Sequence, residues 1–458
     1  PLKGMGFIAP PHPLFSITGA RRMPEYETGT CDYLIHTTLL LVAERYPQNQ
    51  RKDATDPSLV RAAKTLIAMV LAPLWATMLL LTISPVSAYA GVLPNPSLGP
   101  APDIKPLNGA PPVPESIWRC GQDGLYPVTN NGADPRGTSP GSPNPLAGVR
   151  FFVDPTEPAF AAYANAYRAG DFEKARLLAK IAYVPRSRWF GRWTGSGDKL
   201  YKMVRGYLAC VATLQPGTVP IMVVMRHIGQ ECHPRYTAGG HAEDVRTMRW
   251  YDVFARAIGN ARVVIGFEPD SIGTIKCLAP SRRKDRIKVL RYGLKRLSQL
   301  PNATIYVEAE ASDWEDAEVV ATRLRMIGIE KARGVMLNAT HYDWTMSNIL
   351  FCWRLSPMIG NKPCIINTGS NGRGPLHIPI RRGKRVVRKN VWCNPPGRGL
   401  GIPTRAVTNI PLVDGFVWID RPGLSDGTCN GGPPVAKWWE KRALELARRA
   451  SMRLGPGD

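Results

Sequence analysis

The chain has 458 residues, with 59 Lys and Arg against 36 Asp and Glu, and a formal net charge of +23. Hydrophobic residues make up 44% and charged residues 21%, a balance that excludes wholesale disorder, a collagen-like repeat and a small disulfide scaffold. The length suits one large domain or two ordinary ones, and the basic excess taken alone would suit a nucleic-acid binder.

In chain order, residues 1–59 show no clear period or motif and are expected to be a mis-extended or unstructured N-terminus. Residues 60–90 read as a secretory signal peptide. Arg61 and Lys64 precede an uncharged apolar run over 65–83, and Pro85, Ser87 and Ala88 supply a small-residue cleavage site. A membrane anchor is the competing reading of the same run; Pro85 and the lack of a basic stop signal favour export. A secreted, extracellular protein is therefore expected. Removal of 1–90 takes away 8 basic and 6 acidic residues and leaves +21, so the basic balance belongs to the mature chain. Only Cys31 of the nine Cys would be lost, and an even remainder is compatible with disulfides in an exported protein. Residues 91–149 are dense in Pro, Gly, Asn and Ser and read as linker or wrapping coil.

From residue 150 the pattern changes. Short apolar, β-branched runs occur at 149–153, 219–225, 262–267, 304–308, 334–337, 364–367 and 415–419. Helical stretches lie between them, among others at 158–182, 242–258, 282–299, 313–327 and 436–450. Buried strands alternating with helices indicate parallel βα units. Seven of them predict an α/β fold, a closed or nearly closed seven-stranded parallel β/α barrel of the TIM-barrel kind, over 150–458. No GxGxxG follows the first strand, so a dinucleotide fold lacks its fingerprint.

In such barrels functional side chains follow the C-terminal ends of strands. Those positions hold Gln230, Glu231 and Cys232, then Glu268 and Asp270, then Glu308, then Asn338, His341, Asp343 and Trp344, then Asn367, and lastly Asp420, Arg421 and Asp426. Several carboxylates beside tryptophans suit glycosidic bonds: one acid protonates the leaving oxygen, another group handles water, and indoles stack on sugar faces. Glu308, Asn338 and Trp344 are candidates for substrate contact. The His residues are scattered singly and no C-x-x-C occurs, so no metal and no organic cofactor is expected.

The stretch VVIGFEPDSI (263–272) resembles the Glu-Pro-Asp signature of glycoside hydrolase family 6, the cellobiohydrolase II and endoglucanase group. FFVDP (151–155), SRWFGRW (187–193), GQECHPRYTAGG (229–240), NVWCNPPGRGLG (390–401) and FVWIDRPGLSDGTC (416–429) resemble further family segments in the same order. The resemblance covers about 148–450 and implies a distorted seven-stranded barrel. It implies Asp270 as general acid of an inverting enzyme, which needs a raised pKa. It sets Glu231, one methylene longer than the family Asp, as the relay carboxylate, Thr237 as the water-positioning hydroxyl and Asp426 as the other candidate base. Arg421 falls where the family has a sugar-binding Lys, and Trp189 and Trp392 match platform tryptophans. Disulfides Cys232–Cys277 and Cys393–Cys429 are implied. Cys120, Cys210, Cys352 and Cys364 have no partner assignable from sequence.

The departures are Met225 for a Tyr, Gln230 for an Arg, Ala311 for a His and Asn367 for an Asp. The expectation is a monomeric β-1,4-glucan hydrolase acting on polysaccharide or cello-oligosaccharide. The short span between Cys232 and Gly240 favours endo action over a cellobiohydrolase. The alternatives are a catalytically weak or silent glucan-binding member, or a hydrolase of a related polysaccharide. The basic run RRGKRVVRK (381–389) suggests adhesion to anionic surfaces, and no motif for specific nucleic-acid recognition accompanies it.

Overall fold

The computed structural model describes residues 134–456 apart from positions 140, 228–231, 233–239, 384 and 407. The signal-peptide segment, the stretch before it and most of the Pro-rich segment lie outside the described residues. Seven parallel strands form one sheet: β1 (Arg188–Gly191), β2 (Ile221–Met225), β3 (Val263–Phe267), β4 (Ala303–Glu308), β5 (Gly334–Leu337), β6 (Cys364–Asn367) and β9 (Val413–Val417). Neighbours pair in that order. A lone parallel bridge between Arg186 and Trp418 joins the two edges, so the expected distorted barrel is present and its seam is thin. Between β6 and β9 the chain makes an antiparallel hairpin of β7 (Leu376–Arg382) and β8 (Arg385–Val391).

Strands buried on both faces read as continuous apolar runs, and parity divides their side chains. Ile221, Val223, Val264, Tyr306, Met336, Ile365 and Val417 fill the barrel. Met222, Val224, Ile265, Ile305, Val335 and Ile366 face the helices. Those helices bury one stripe each: α4 (His241–Ile258) buries Thr247, Trp250, Tyr251, Phe254 and Ile258, and α5 (Pro280–Leu297) buries Arg286, Val289, Leu290, Leu294 and Leu297.

Two expectations change. The run 149–153 is not a sheet strand; Phe151 makes a single bridge to Val219, and the sheet edge is β1, whose Arg-Trp-Phe-Gly carries no β-branched residue. The helix expected over 158–182 is two, α1 (Pro158–Arg168) and α2 (Phe172–Ala182). Gly170 at φ 73° breaks it, and Asp171 accepts the Lys174 N–H at 3.0 Å to start the second. These helices and α8 (Glu440–Arg448) share an apolar cluster with Trp418, which covers the seam. α3 (Gly197–Leu214), α6 (Ala317–Ile327) and α7 (Thr345–Leu355) complete the main helical layer. Among the described residues no helix is long and apolar enough to cross a membrane.

Residues 134–146 cover the N-terminal mouth of the barrel. Leu146 is fully buried among the barrel-lining residues. The segment's carbonyls are taken by cations from the barrel: Arg262 bonds Pro135 and Pro145, Arg333 bonds Gly137 and Ser142, and Lys362 bonds Thr138. Arg333 in turn makes a two-pronged bond to Asp414 at 2.8 and 2.9 Å, and the Tyr306 hydroxyl donates to Asp414 at 2.6 Å. A cavity of about 280 Å³ lined by Gly137, Asn144, Arg333, Lys362 and Asp414 lies along this seam, at the end of the barrel opposite the strand C-termini. Removing one partner of a buried ion pair leaves a desolvated charge. Asp414→Ala is expected to lower unfolding free energy by about 3–5 kcal/mol, read from urea titration. A change under about 1 kcal/mol would show that the plug is not held by this pair.

Candidate active site

Inward parity decides which side chains reach the C-terminal mouth. Two residues beyond Tyr306, Met336 and Ile365, the side chains of Glu308, Asn338 and Asn367 continue the barrel-facing series at its rim. The backbone turns sharply there. Glu268 and Asp270 after β3, Glu310 after β4 and Asn338 after β5 have φ of 58°, 66°, 69° and 64°. Left-handed backbone is uncommon for residues with a Cβ, and it recurs at three adjacent strand ends on this rim.

Asp270 is 8% exposed. Its Oδ1 accepts the Thr340 hydroxyl at 2.7 Å, and its carbonyl accepts the Thr274 N–H at 3.1 Å and hydroxyl at 2.8 Å. Behind it, Glu308 is buried and accepts the N–H of Glu310 at 2.5 Å and that of Asp270. Burial, then the charges of Glu310 and Asp270, push Glu308 well above the usual carboxylate range. Burial pushes Glu310 up to about 8, although Arg323 at 3.5 Å pulls the other way. Glu268 is fully buried, where burial raises it to about 7 against hydrogen bonds from the N–H groups of Arg226 and His227, both at 2.9 Å, and from the Tyr251 hydroxyl at 2.7 Å. It ties the end of β2 to β3.

Across the mouth, Asp426 accepts the Tyr342 hydroxyl and the Asn394 N–H, each at 2.8 Å, and burial raises its pKa. Thr340 and Tyr342, two residues apart on the loop after β5, thus hold one carboxylate each. Burial lifts Asp420 to about 7, opposed by a Ser370 hydrogen bond and aided by the charge of Asp426. A Cβ on Gly369 would lie 1.8 Å from Asp420 Oδ1, so only glycine admits this carboxylate.

Asn338 and Asn367 are fully buried and bond each other's carbonyls at 3.1 and 2.9 Å; Asn367 Oδ1 also accepts the Ile419 N–H at 2.9 Å. They clasp the ends of β5, β6 and β9. Arg421 donates to Glu157 at 3.0 and 3.2 Å. Trp189 is half-buried against the barrel lining and donates to the Ile419 carbonyl at 2.7 Å. Trp344 and Trp392 are half-buried, and Trp344 lies so close to Gly374 that a Cβ there would meet its indole at 2.1 Å. Met225 and Ala311 are buried. Gln230, Glu231 and Thr237 lie outside the described residues. Both implied disulfides, Cys232–Cys277 and Cys393–Cys429, are formed, and a third joins Cys352 of α7 to Cys364 of β6.

A further group at the rim centres on His341, which the sequence places after β5 without assigning it a role. His341 Nδ1 lies 2.8 Å from Asp313 Oδ1, and the imidazole stacks on Trp314 at 5.1 Å with 16° between planes. Burial lowers its pKa, but the charges of Asp313 and, further off, Asp270 leave it raised. Its only sequence signal is position after β5, because the partners come from the loop after β4.

The family model described as Glycosyl hydrolases family 6 matches residues 146–450. Endoglucanase A of Cellulomonas fimi is 32% identical over 309 residues, which are 67% of this chain and 62% of that protein. The chain thus spans less than two thirds of that relative's length. Endoglucanase 1 of Streptomyces halstedii is 31% identical over 62% of this chain and 83% of its own. Among solved structures, the endoglucanase Cel6 of Mycobacterium tuberculosis, in complex with methyl-cellobiosyl-4-deoxy-4-thio-β-D-cellobioside, is similar with a TM-score of 0.58 and 32% identity, covering 67% of this chain and 99% of that one.

Glu310 yields a pH prediction. Its carboxyl stays protonated in the fold up to about 8 but ionises near the ordinary 4.5 once unfolded. Between those values the unfolded chain binds fewer protons, so the stability this group supplies at low pH is lost as pH rises through about 8. Glu310→Gln, which keeps the neutral form, is expected to flatten the fall in melting temperature over this window, followed by circular dichroism. An unchanged slope would mean that Glu310 is ionised in the fold.

Proposed function

We propose that this chain, which belongs to glycosyl hydrolase family 6, is a secreted endoglucanase-type enzyme cleaving β-1,4-glucan with inversion. The observation that carries the reading is the pair Asp270 and Asp426, held at the strand C-termini by the hydroxyls of Thr340 and Tyr342. Inversion needs a protonated carboxyl on one side of the glycosidic bond and a base ~6.5–9.5 Å away with a water between. Asp270 is the acid: its proton passes to the leaving oxygen as the bond to the anomeric carbon breaks. The buried carboxyls around it make a second negative charge costly and favour the protonated form. Asp426 is the base that takes the proton from the attacking water, with Glu231 as a relay and Thr237 positioning that water.

Trp189, Trp344 and Trp392 offer indole faces to sugar rings. Arg421, oriented by Glu157, is a hydrogen-bond donor to a sugar hydroxyl. Glu308 acts through Asp270 rather than on substrate, since it is 1% exposed. Export rests on the signal-peptide reading of 60–90, and endo action on the names of the bacterial relatives. Met225 and Ala311 at the rim lack the hydroxyl and imidazole of the family pattern, which favours a slower enzyme as the second reading.

Hydrolysis of cellohexaose should give products whose first-formed anomer is α, seen by proton NMR. Asp270→Asn should lower kcat by about a hundredfold or more. Equal turnover by both proteins would remove Asp270 from the acid role, and calorimetric binding without new reducing ends would favour a silent glucan binder.

A further inference from the structure

The β7–β8 hairpin is a feature that cutting a neutral glucan does not require. Its segment 381–389 holds six basic residues and no acidic one. Arg381, Arg385, Arg388 and Lys389 are exposed, and none of these four makes an ion pair among the described residues. Some surface cations elsewhere are matched, as Arg282 is with Asp244 and Asp285, Arg354 with Glu318 and Arg449 with Glu445. The hairpin therefore carries uncompensated charge held in a hydrogen-bonded ladder.

Its place matters as much as its charge. The hairpin rises from the chain leaving the C-terminal end of β6, and both feet stand on the rim. Before β7, Gly374 packs against Trp344. At the end of β8, Asn390 donates to Asp313 at 2.5 Å, and beyond it the Asn394 N–H donates to Asp426 at 2.8 Å. The positive arm is thus tied to the rim at Trp344, Asp313 and Asp426.

A rim carrying the Asp313 carboxylate, which burial would raise but His341 holds low, and Asp426 as base repels an anionic chain, and the repulsion grows where water is excluded. Unpaired guanidinium groups beside it offset that field and match carboxylate geometry. Lipid is a poorer match, because exposed cations stand on both faces of the ladder: Arg381 and Arg388 on one with Val386, Arg385 and Lys389 on the other with Ile378, so neither face is free of charge for a membrane to bury.

Resting on the glucan-hydrolase reading, we propose that the β7–β8 hairpin is an anion-binding arm of the cleft and that the favoured substrate is a β-1,4-glucan that carries carboxylate groups beside the bond that is cut.

The test compares carboxymethyl-cellulose with neutral hydroxyethyl-cellulose. At low salt KM should be lower for the charged polymer, and the preference should vanish as salt rises from about 0.01 M to about 1 M, where the screening length falls from about 30 Å to about 3 Å. Replacing Arg381, Arg385, Arg388 and Lys389 together by Gln should lower the ratio of kcat/KM for the charged over the neutral polymer by about tenfold. Replacing the three Arg by Lys keeps the charge and should keep most of the preference, which separates charge from folding. Binding of both polymers to the Asp270→Asn protein by affinity electrophoresis gives a readout free of turnover. If neither polymer is cut but the charged one alone is bound through the hairpin, the hydrolase reading fails and the arm stands. A ratio unmoved by the Gln variant overturns the proposal, as does equally tight, salt-sensitive binding of double-stranded DNA or anionic lipid vesicles, which would assign generic adhesion.

Discussion

Burial of carboxyl groups at the C-terminal edge of the sheet is the constraint on which the rest of the structure depends. Glu268, Glu308 and Glu310 are each at most 1% exposed, where an ionised carboxylate without partners is costly. Two devices lower that cost. Backbone N–H groups and hydroxyls are aimed at the oxygens, as at Glu268 with its three donors, and protons are retained, as the raised Glu310 and Asp420 indicate. The left-handed turns after β3, β4 and β5 belong to the same solution, because they let successive peptide groups point into the mouth instead of continuing the ladder. The N–H of Glu310 reaching Glu308 is one such case. Glycine is required where a carboxylate crowds the backbone, at Gly369 against Asp420. The closed end of the barrel follows the opposite logic, with cations buried against the carbonyls of residues 135–145.

Much of this was legible in the sequence for an identifiable reason. Strands β2 to β6 are covered on both faces, so their residues form continuous β-branched runs, and the residue two beyond the last barrel-facing position marks the rim. β1 was not legible, because at the seam a short Arg-Trp-Phe-Gly segment suffices: Phe190 packs under the helices and Trp189 against the barrel lining. The run 149–153 has the composition of a strand, yet it makes one bridge to the residue before Pro220 and β2. In the site, residue type and strand-end position pointed to Asp270 and Asp426, which lie past the strand ends as acceptors of the Thr340 and Tyr342 hydroxyls. They did not foresee that Arg421 is held by Glu157, 264 positions away, or that Asn338 and Asn367 spend their amides on one another. Pairings across the barrel leave no periodic trace in the chain.

The net charge acquires a location. The carboxyl groups of the barrel mouth are inside, where burial raises Glu268, Glu308, Glu310 and Asp420 toward the neutral form, while the lysines and arginines are mainly outside, where water carries their solvation. That segregation is permissive for solubility and says little about fold. The hairpin differs because Arg381, Arg385, Arg388 and Lys389 lie on one ladder that touches the rim through Asn390. A uniform coat of charge would raise encounter rates with any polyanion, whereas charge fixed beside one cleft biases which chain enters it.

The end of β4 lacks one residue type of the pattern that the sequence resembles. The family pattern has an imidazole at position 311, where this chain has a buried alanine with no polar atom to offer. An imidazole nevertheless stands beside this strand end, contributed by His341 from the loop after β5. Its position is fixed on two sides, by the Trp314 ring and by Asp313. Asp313 also receives Asn390, so the hairpin, the aspartate and the histidine form one hydrogen-bonded series. Next to His341 in the chain, Thr340 bonds Asp270, and one further residue on, Tyr342 bonds Asp426. Three consecutive residues of a single loop therefore govern the two carboxylates and the imidazole between them. A shift of that loop by ~1 Å would disturb all three at once, which explains why its approach is locked so firmly: Asn338 at φ 64°, fully buried, donates to the Asp343 carbonyl and accepts the Asp343 N–H, both at 3.1 Å.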